Sequence, residues 1–190
     1  MRLMTWNCRV GAFRTKAGQV AAMRPDVVVV PECEDVTREL LMDGPVQPTT
    51  RLWFSTPGTT RGLGVFSYTG AEIVAAPIVG EPIGFFIPLE VRVGSLQFQM
   101  AAVWTAECTE RARSYRQAHE GLERYRDWIS KRPTVLIGDF NNTPSQKKLW
   151  SDLVALVEPL GLVSAYHRFF KESHGAETKP THFFRGKQDN

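Results

Sequence analysis

The sequence predicts an α/β fold: two mixed β-sheets packed face to face with helices on the outer surfaces, a four-layer αββα sandwich. Three observations carry that prediction. Four consecutive valines, Val27, Val28, Val29 and Val30, read as a strand buried on both faces. Residues 51 to 105 read as strand after strand, broken by Gly, Pro and Thr turns. An amphipathic helical stretch then leads into a second apolar strand, Val135-Leu136-Ile137. Strands, a helix, then strands again suit sheets packed together under outer helices. The chain has 190 residues, 43% of them hydrophobic, which supplies a sizeable core for a single domain over 1–190. Nothing in its composition points to disorder or low complexity.

Residues 2–6 read as a short first strand. A helix follows at 15–23 and is closed by Pro25. The valine strand covers 26–31. Further strands are expected at 52–55, 63–68, 71–76, 85–93 and 96–105, with Val93-Gly94-Ser95-Leu96 as a tight hairpin connection between the two longest. Over 109–131 the residues Ala112, Tyr115, Ala118, Leu122, Tyr125 and Ile129 form one apolar stripe at three- and four-residue steps. Arg113, Arg116, Glu120, Arg124 and Asp127 fall on the other side, which reads as a solvated face ahead of a nucleic-acid surface. A buried strand at 134–138, a helix at 145–158 ended by Pro159 and Gly161, and a short strand at 162–166 complete the order. Residues 180–184 read as a strand and 185–190 as the turn after it, with no return strand, so the fold is expected to be incomplete at this end.

Apolar runs such as 27–31 and 73–79 are much too short to span a bilayer. The first residues lack the apolar region of a signal peptide. Three cysteines without paired spacing supply no disulfide framework. A cytoplasmic monomer is the expectation. The net charge of +3, with a pI near 8.9, is compatible with a polyanionic partner and does not establish one.

Three strands end in isolated polar residues: Asn7 after the first, Glu32 after the valine run, and Asp139 with Asn141 after 134–138. On a strand, residues two apart share a face, so Asp139 and Asn141 would emerge together while Phe140 turns to the core. Parallel neighbours would bring such ends together, as in ligand sites of α/β sheets. Each residue has a plainer alternative. Asn7 is a turn residue, Asp139-Phe140-Asn141 an Asx-type turn, and Glu32 the partner of an arginine. Glutamate after four valines is the least ordinary of these, because it is rarely buried unless paired or metal-bound.

Trp6-Asn7, Pro31-Glu32 and Gly138-Asp139-Phe140-Asn141, in this order and context, resemble the endonuclease/exonuclease/phosphatase superfamily of apurinic endonucleases, deoxyribonucleases, sphingomyelinases and inositol polyphosphate phosphatases. Arg61-Gly62-Leu63-Gly64-Val65-Phe66-Ser67 is similar to that family's glycine-led strand, and is equally a strand start needing Gly for close backbone approach. The resemblance implies metal-dependent hydrolysis of a phosphate ester, a phosphodiester or nucleic acid ahead of a phosphomonoester. Glu32 would hold Mg²⁺ or Mn²⁺, a hard cation that favours oxygen, with Asn7 beside the ion and the phosphate. Asp139 would orient or deprotonate the attacking water, and Asn141 would position that water or a phosphate oxygen. Where some relatives carry a second acidic residue this chain has Arg9, which could contact phosphate directly.

Trp104-Thr105 ends a strand where relatives place a phosphate-contacting side chain; the alternative is a capped core tryptophan. The family's final Asp-containing strand and Ser/Thr-Asp-His element have no counterpart here, which leaves a non-catalytic remnant as the competing reading. His167, His174 and His182 cluster late in the chain at spacings that match no zinc pattern. His167 is expected at the rim of the site, touching substrate. Cys8 and Cys33 each follow a candidate site residue and read as small buried apolar groups ahead of redox or zinc ligands.

Overall fold

The computed structural model describes residues 1–9, 11–36, 46–77, 80, 83–105, 114–141, 147–179, 182–184 and 187–189. They fall into two compact units, Met1–Asn141 and Asn142–Asn190.

The first unit holds two four-stranded mixed sheets. In one, β1 (Leu3–Thr5), β2 (Val27–Cys33), β3 (Thr50–Phe54) and β4 (Gly62–Ser67) lie in the order β1-β2-β4-β3. In the other, β5 (Glu72–Ala75), β6 (Phe85–Val93), β7 (Leu96–Trp104) and β8 (Thr134–Asp139) follow in sequence order. Each sheet has one parallel pair, and each such pair is separated in sequence by helix. Helix α1 (Phe13–Ala22) intervenes between β1 and β2; α2 (Ser114–Arg124) and α3 (Arg126–Ile129) intervene between β7 and β8. Parallel strands require such crossovers, whereas β6 and β7, an antiparallel pair, are joined by Gly94 and Ser95 alone.

The valine run serves two cores because side chains alternate along a strand. Val27 and Val29 face the second sheet, packed with Leu63, Val65, Leu89, Met100 and Ala102. Val28 and Val30 face α1, with Phe13, Ala17, Val20 and Phe66. All four valines are fully buried. Phe13 stacks on Phe66 with ring centroids 4.7 Å apart, which seats α1 on its sheet. On the second sheet Phe86 stacks on Tyr125 at 5.8 Å, and a Cβ on Gly121 of α2 would come within 2.3 Å of the Phe86 ring. Ala118, Leu122, Tyr125 and Ile129, all from the predicted stripe, are buried. Helix, sheet, sheet and helix are therefore the four layers.

The expected helix over 109–131 is two helices meeting at Tyr125, which has φ −98° and ψ 15°. Its hydrogen-bonding continues across the junction, from Tyr125 N–H to the Gly121 carbonyl at 2.9 Å and from Ile129 N–H to the Tyr125 carbonyl at 2.8 Å. Residues 109–113 and Cys108 lie outside the described residues. Strand β8 is half-buried along its length, not buried as its apolar sequence predicts, and it is the last strand of its sheet among the described residues.

The second unit contains α4 (Lys147–Val157), a 3-10 turn at Glu158–Leu160, α5 (Ala165–Phe170), and a hairpin of β9 (His182–Phe184) and β10 (Lys187–Asp189). Two expectations are corrected here. The residues expected as a short strand at 162–166 instead lead into α5, which begins at Ala165 because the Ser164 hydroxyl accepts the His167 N–H and caps the helix. The expected closing turn contains a return strand, with Lys187 opposite Phe184 and Asp189 opposite His182. Lys, Gln and Asp carry little β propensity, so pairing with β9 decides that segment, not its composition. Among the described residues no helix is long and apolar enough to cross a membrane.

Candidate active site

Asn7, Glu32 and Asp139 meet at one end of the two sheets in the first unit. The Asn7 amide Nδ2 donates to Glu32 Oε1 at 3.1 Å and to Asp139 Oδ2 at 2.8 Å. One amide thus joins two carboxylates that lie 25 and 132 positions away in sequence. The other oxygen of Glu32 accepts from Arg61 NH1 at 2.7 Å.

Local backbone chemistry holds each group. Asn7 Oδ1 accepts the Arg9 N–H at 2.8 Å, and Asp139 Oδ1 accepts the Asn141 N–H at 2.9 Å. Both are Asx turns, in which a side chain caps the backbone two residues on. The turn reading and the site reading therefore coexist: one oxygen of each side chain makes the turn, and the opposite atom faces the cluster. Strand alternation does not carry Asn141 outward as the sequence suggests. β8 ends at Asp139, Asn141 is left-handed with φ 48°, and its Nδ2 donates to the Thr105 carbonyl at 3.0 Å. Phe140 is half-buried, its carbonyl taken by the Thr105 hydroxyl. Val135 and Ile137, on Asp139's face, pack into the inter-sheet core.

Glu32 lies on an irregularity. The register of β2 against β4 shifts between Val30 and Cys33, and Glu32 has φ 55°. Such a bulge re-aims a side chain. The Gly11 N–H donates to the Glu32 carbonyl at 2.9 Å and ties the loop after β1 to this bulge. Glu34 fixes the other end of that loop, accepting the Phe13 and Arg14 N–H groups at 2.9 and 2.6 Å at the start of α1. A carboxylate suits the positive end of a helix.

Glu34 is the participant that sequence reasoning missed, whereas Glu32 has the arginine partner that its plainer reading expects, in Arg61. Arg61 stands directly before the glycine-led strand β4, and an isolated glutamate in search of a cation was the available signal. Arg9 is exposed and left-handed, φ 53°, with its backbone bound to Asn7. Trp104 is opposite Asp139 in register, but its ring stacks on Phe85 at 4.7 Å in the inter-sheet core, with 8% of the residue exposed. His167 belongs to the second unit, where its two ring nitrogens lie 2.6 Å from Ser164 Oγ and 2.7 Å from Glu177 Oε1. Cys8 and Cys33 are fully buried in the layer beneath α1. Burial pushes the Cys8 thiol up to about 12 and raises Cys33 as well, so both stay protonated and poor as ligands or nucleophiles.

Glu32 and Asp139 are half-buried; the Asn7 amide donates to both, and the Arg61 guanidinium pairs with Glu32. The atoms shown to meet here that could ligate a cation are the carboxylate oxygens of Glu32 and Asp139, since Asn7 turns its NH2 to them and its oxygen to the Arg9 N–H. That set suits a hard divalent ion, and a compact positive charge is what two adjacent carboxylates call for.

No family model matches the sequence, and no curated protein matches it. Solved structures do. The human Nocturnin catalytic domain with bound sulfate anion is 18% identical, with 96% of this chain and 77% of that one covered at a TM-score of 0.66. The 3′ phosphatase NExo from Neisseria, bound to a product DNA hairpin, is 16% identical over 88% of this chain and 74% of that one, TM-score 0.58. An AP endonuclease from Archaeoglobus fulgidus is 12% identical over 90% and 74%, TM-score 0.58. Two face-to-face mixed sheets under outer helices are common to these proteins, and the chain has the endonuclease/exonuclease/phosphatase fold.

Proposed function

We propose that this chain hydrolyses phosphate esters, with a phosphodiester, and nucleic acid in particular, as its substrate class. The observation that carries the reading is the Asn7 amide joining the carboxylates of Glu32 and Asp139 at 3.1 and 2.8 Å. Glu32, with Asn7 beside it, would hold Mg²⁺ or Mn²⁺, which when bound polarises the phosphoryl group.

The chain's own residues do the remaining work. Asp139 is held by Asn7 and by the Asn141 N–H, so its carboxylate is oriented before substrate arrives. It takes the proton of a water whose oxygen attacks phosphorus. The ester P–O bond breaks in line, and the leaving oxygen gains a proton from solvent. Asn141 positions that water, its amide fixed by the Thr105 carbonyl. Arg9 and Arg61 supply positive charge for the phosphate oxygens. Positioning and charge stabilisation are the main sources of rate in such transfers. The neighbours in fold support the class: one is an AP endonuclease, and another a 3′ phosphatase bound to a product DNA hairpin.

The test is hydrolysis of bis-p-nitrophenyl phosphate and plasmid DNA by the 190-residue chain with Mg²⁺, Mn²⁺ or EDTA, beside Asp139→Asn. Turnover should need the cation and fall by about 10²–10⁴-fold in the variant, the usual span for loss of a general base. Undiminished hydrolysis by Asp139→Asn would remove Asp139 from the mechanism. A folded wild-type chain that cleaves neither substrate would favour the non-catalytic reading.

A further inference from the structure

The second unit carries a cluster of a different chemistry. His167, His174 and Glu177 each offer one ligand atom, and those atoms all lie within 4.8 Å of one another. The two imidazole rings are 3.8 Å apart between centroids and tilted by 35°. We propose that His167, His174 and Glu177 form a binding site for a transition-metal cation of the zinc type.

An ordinary ion pair would account for His167 with Glu177, whose Nε2 and Oε1 are 2.7 Å apart. It does not account for a second imidazole laid against the first. Two protonated rings at that distance would repel, whereas a cation shared by two neutral imidazoles and a carboxylate satisfies all three. Two nitrogens and one oxygen form a donor set that selects Zn²⁺, Co²⁺ or Ni²⁺ over Mg²⁺. Three protein ligands leave a fourth position for water.

The loop is built to hold these groups together. Lys171, φ 57°, and Gly175, φ 84°, turn the chain back after α5 and return His174 and Glu177 towards His167. Glu172 closes the loop: it accepts the Thr178 N–H at 2.9 Å and the Tyr166 hydroxyl at 3.0 Å, while the Tyr166 hydroxyl accepts the Lys179 N–H at 2.8 Å. The Gly175 N–H donates to Glu177 Oε1 at 3.0 Å. Ser164 Oγ sits 2.6 Å from His167 Nδ1, on the far side of the ring from Glu177. A polar partner on the second ring nitrogen is the usual support of a metal-bound histidine, and here the hydroxyl holds the orientation of the ring.

The experiment uses the 190-residue chain stripped with chelator and kept in excess Mg²⁺, so that the oxygen cluster of Glu32 and Asp139 is already supplied. Zn²⁺ is titrated by calorimetry, and Co²⁺ by the visible absorption that nitrogen ligation produces. One equivalent should bind with both readouts. His174→Gln and Glu177→Gln, each checked for native circular dichroism, should weaken binding by at least about tenfold. Asp139→Asn should bind as the wild type does. No binding at all, unchanged affinity in His174→Gln, or loss of binding in Asp139→Asn would each overturn the proposal. None of these readouts depends on hydrolysis.

Discussion

Glu32 presents its carboxylate from a backbone conformation that glutamate seldom adopts, and Arg9 and Asn141 share that left-handed region within the same cluster. Each such residue costs roughly 1–3 kcal/mol and persists only where its surroundings over-determine it. Here the Gly11 N–H on the Glu32 carbonyl and the two Asx turns do so. The Arg61–Glu32 pair adds little to stability. Arg61 is 44% exposed and Glu32 20%, and an open pair of this kind contributes about 0–1 kcal/mol. Its consequence is for cation binding, since a guanidinium on Glu32 repels a second positive charge. Arg61→Ala should leave the melting temperature nearly unchanged while lowering the Mg²⁺ concentration for half-maximal hydrolysis by about two- to fivefold. Glu32→Gln should raise that concentration by at least about tenfold. Magnesium titrations of bis-p-nitrophenyl phosphate hydrolysis decide it, and an unchanged requirement in both variants would make Glu32 structural.

At the scale of elements, the eight strands of the two four-stranded sheets were legible and their ends were not. Val27 to Val30 read as a strand with two buried faces, and Val135-Leu136-Ile137 as an apolar strand that runs into Gly138 and delivers Asp139. What alternation alone could not show is that β8 stops at Asp139, because an Asx turn replaces the ladder there. The same competition hid α5: Ser164 caps a helix in a segment whose short apolar run resembles a strand. Which arginine pairs with Glu32 was hidden for another reason, since the pairing of Cys33 with Gly62 brings Arg61 to Glu32 and register is a tertiary property. Gly138 is the strictest requirement of these elements. It has φ 147°, and a Cβ there would stand 1.8 Å from the Val103 carbonyl oxygen of β7. Gly138→Ala must push β8 away from β7 or twist its own backbone, for a loss of about 3 kcal/mol or more. Urea unfolding should show a lowered midpoint, and hydrolysis should fall with it because Asp139 is the next residue. An unaltered midpoint would mean that the two strands are not held this closely.

At the scale of the whole molecule the question is which phosphate ester reaches the cluster, and charge separates the possibilities. The net charge of +3 is too small to draw in DNA by itself. Contact must then come from a few residues near the reacting phosphate, with Arg9 and Arg61 the candidates placed by hydrogen bonds in the Asn7–Glu32–Asp139 cluster. Each phosphate neutralised releases counterions, so affinity for DNA falls as a power of salt concentration set by the number of contacts. Two contacts predict that the KM for plasmid or duplex oligonucleotide rises by about tenfold between 50 and 200 mM salt. A small diester such as bis-p-nitrophenyl phosphate has no second phosphate and should show almost no such rise. Measuring both substrates across that salt range, in wild type and in Arg9→Ala, tests the reading at its weakest point. A salt slope reduced by about one unit in Arg9→Ala would place that guanidinium on a phosphate. Salt-independent turnover of DNA would remove nucleic acid as the substrate class and leave a small phosphate ester, since a polyanion cannot be bound through guanidinium groups without displacing its counterions.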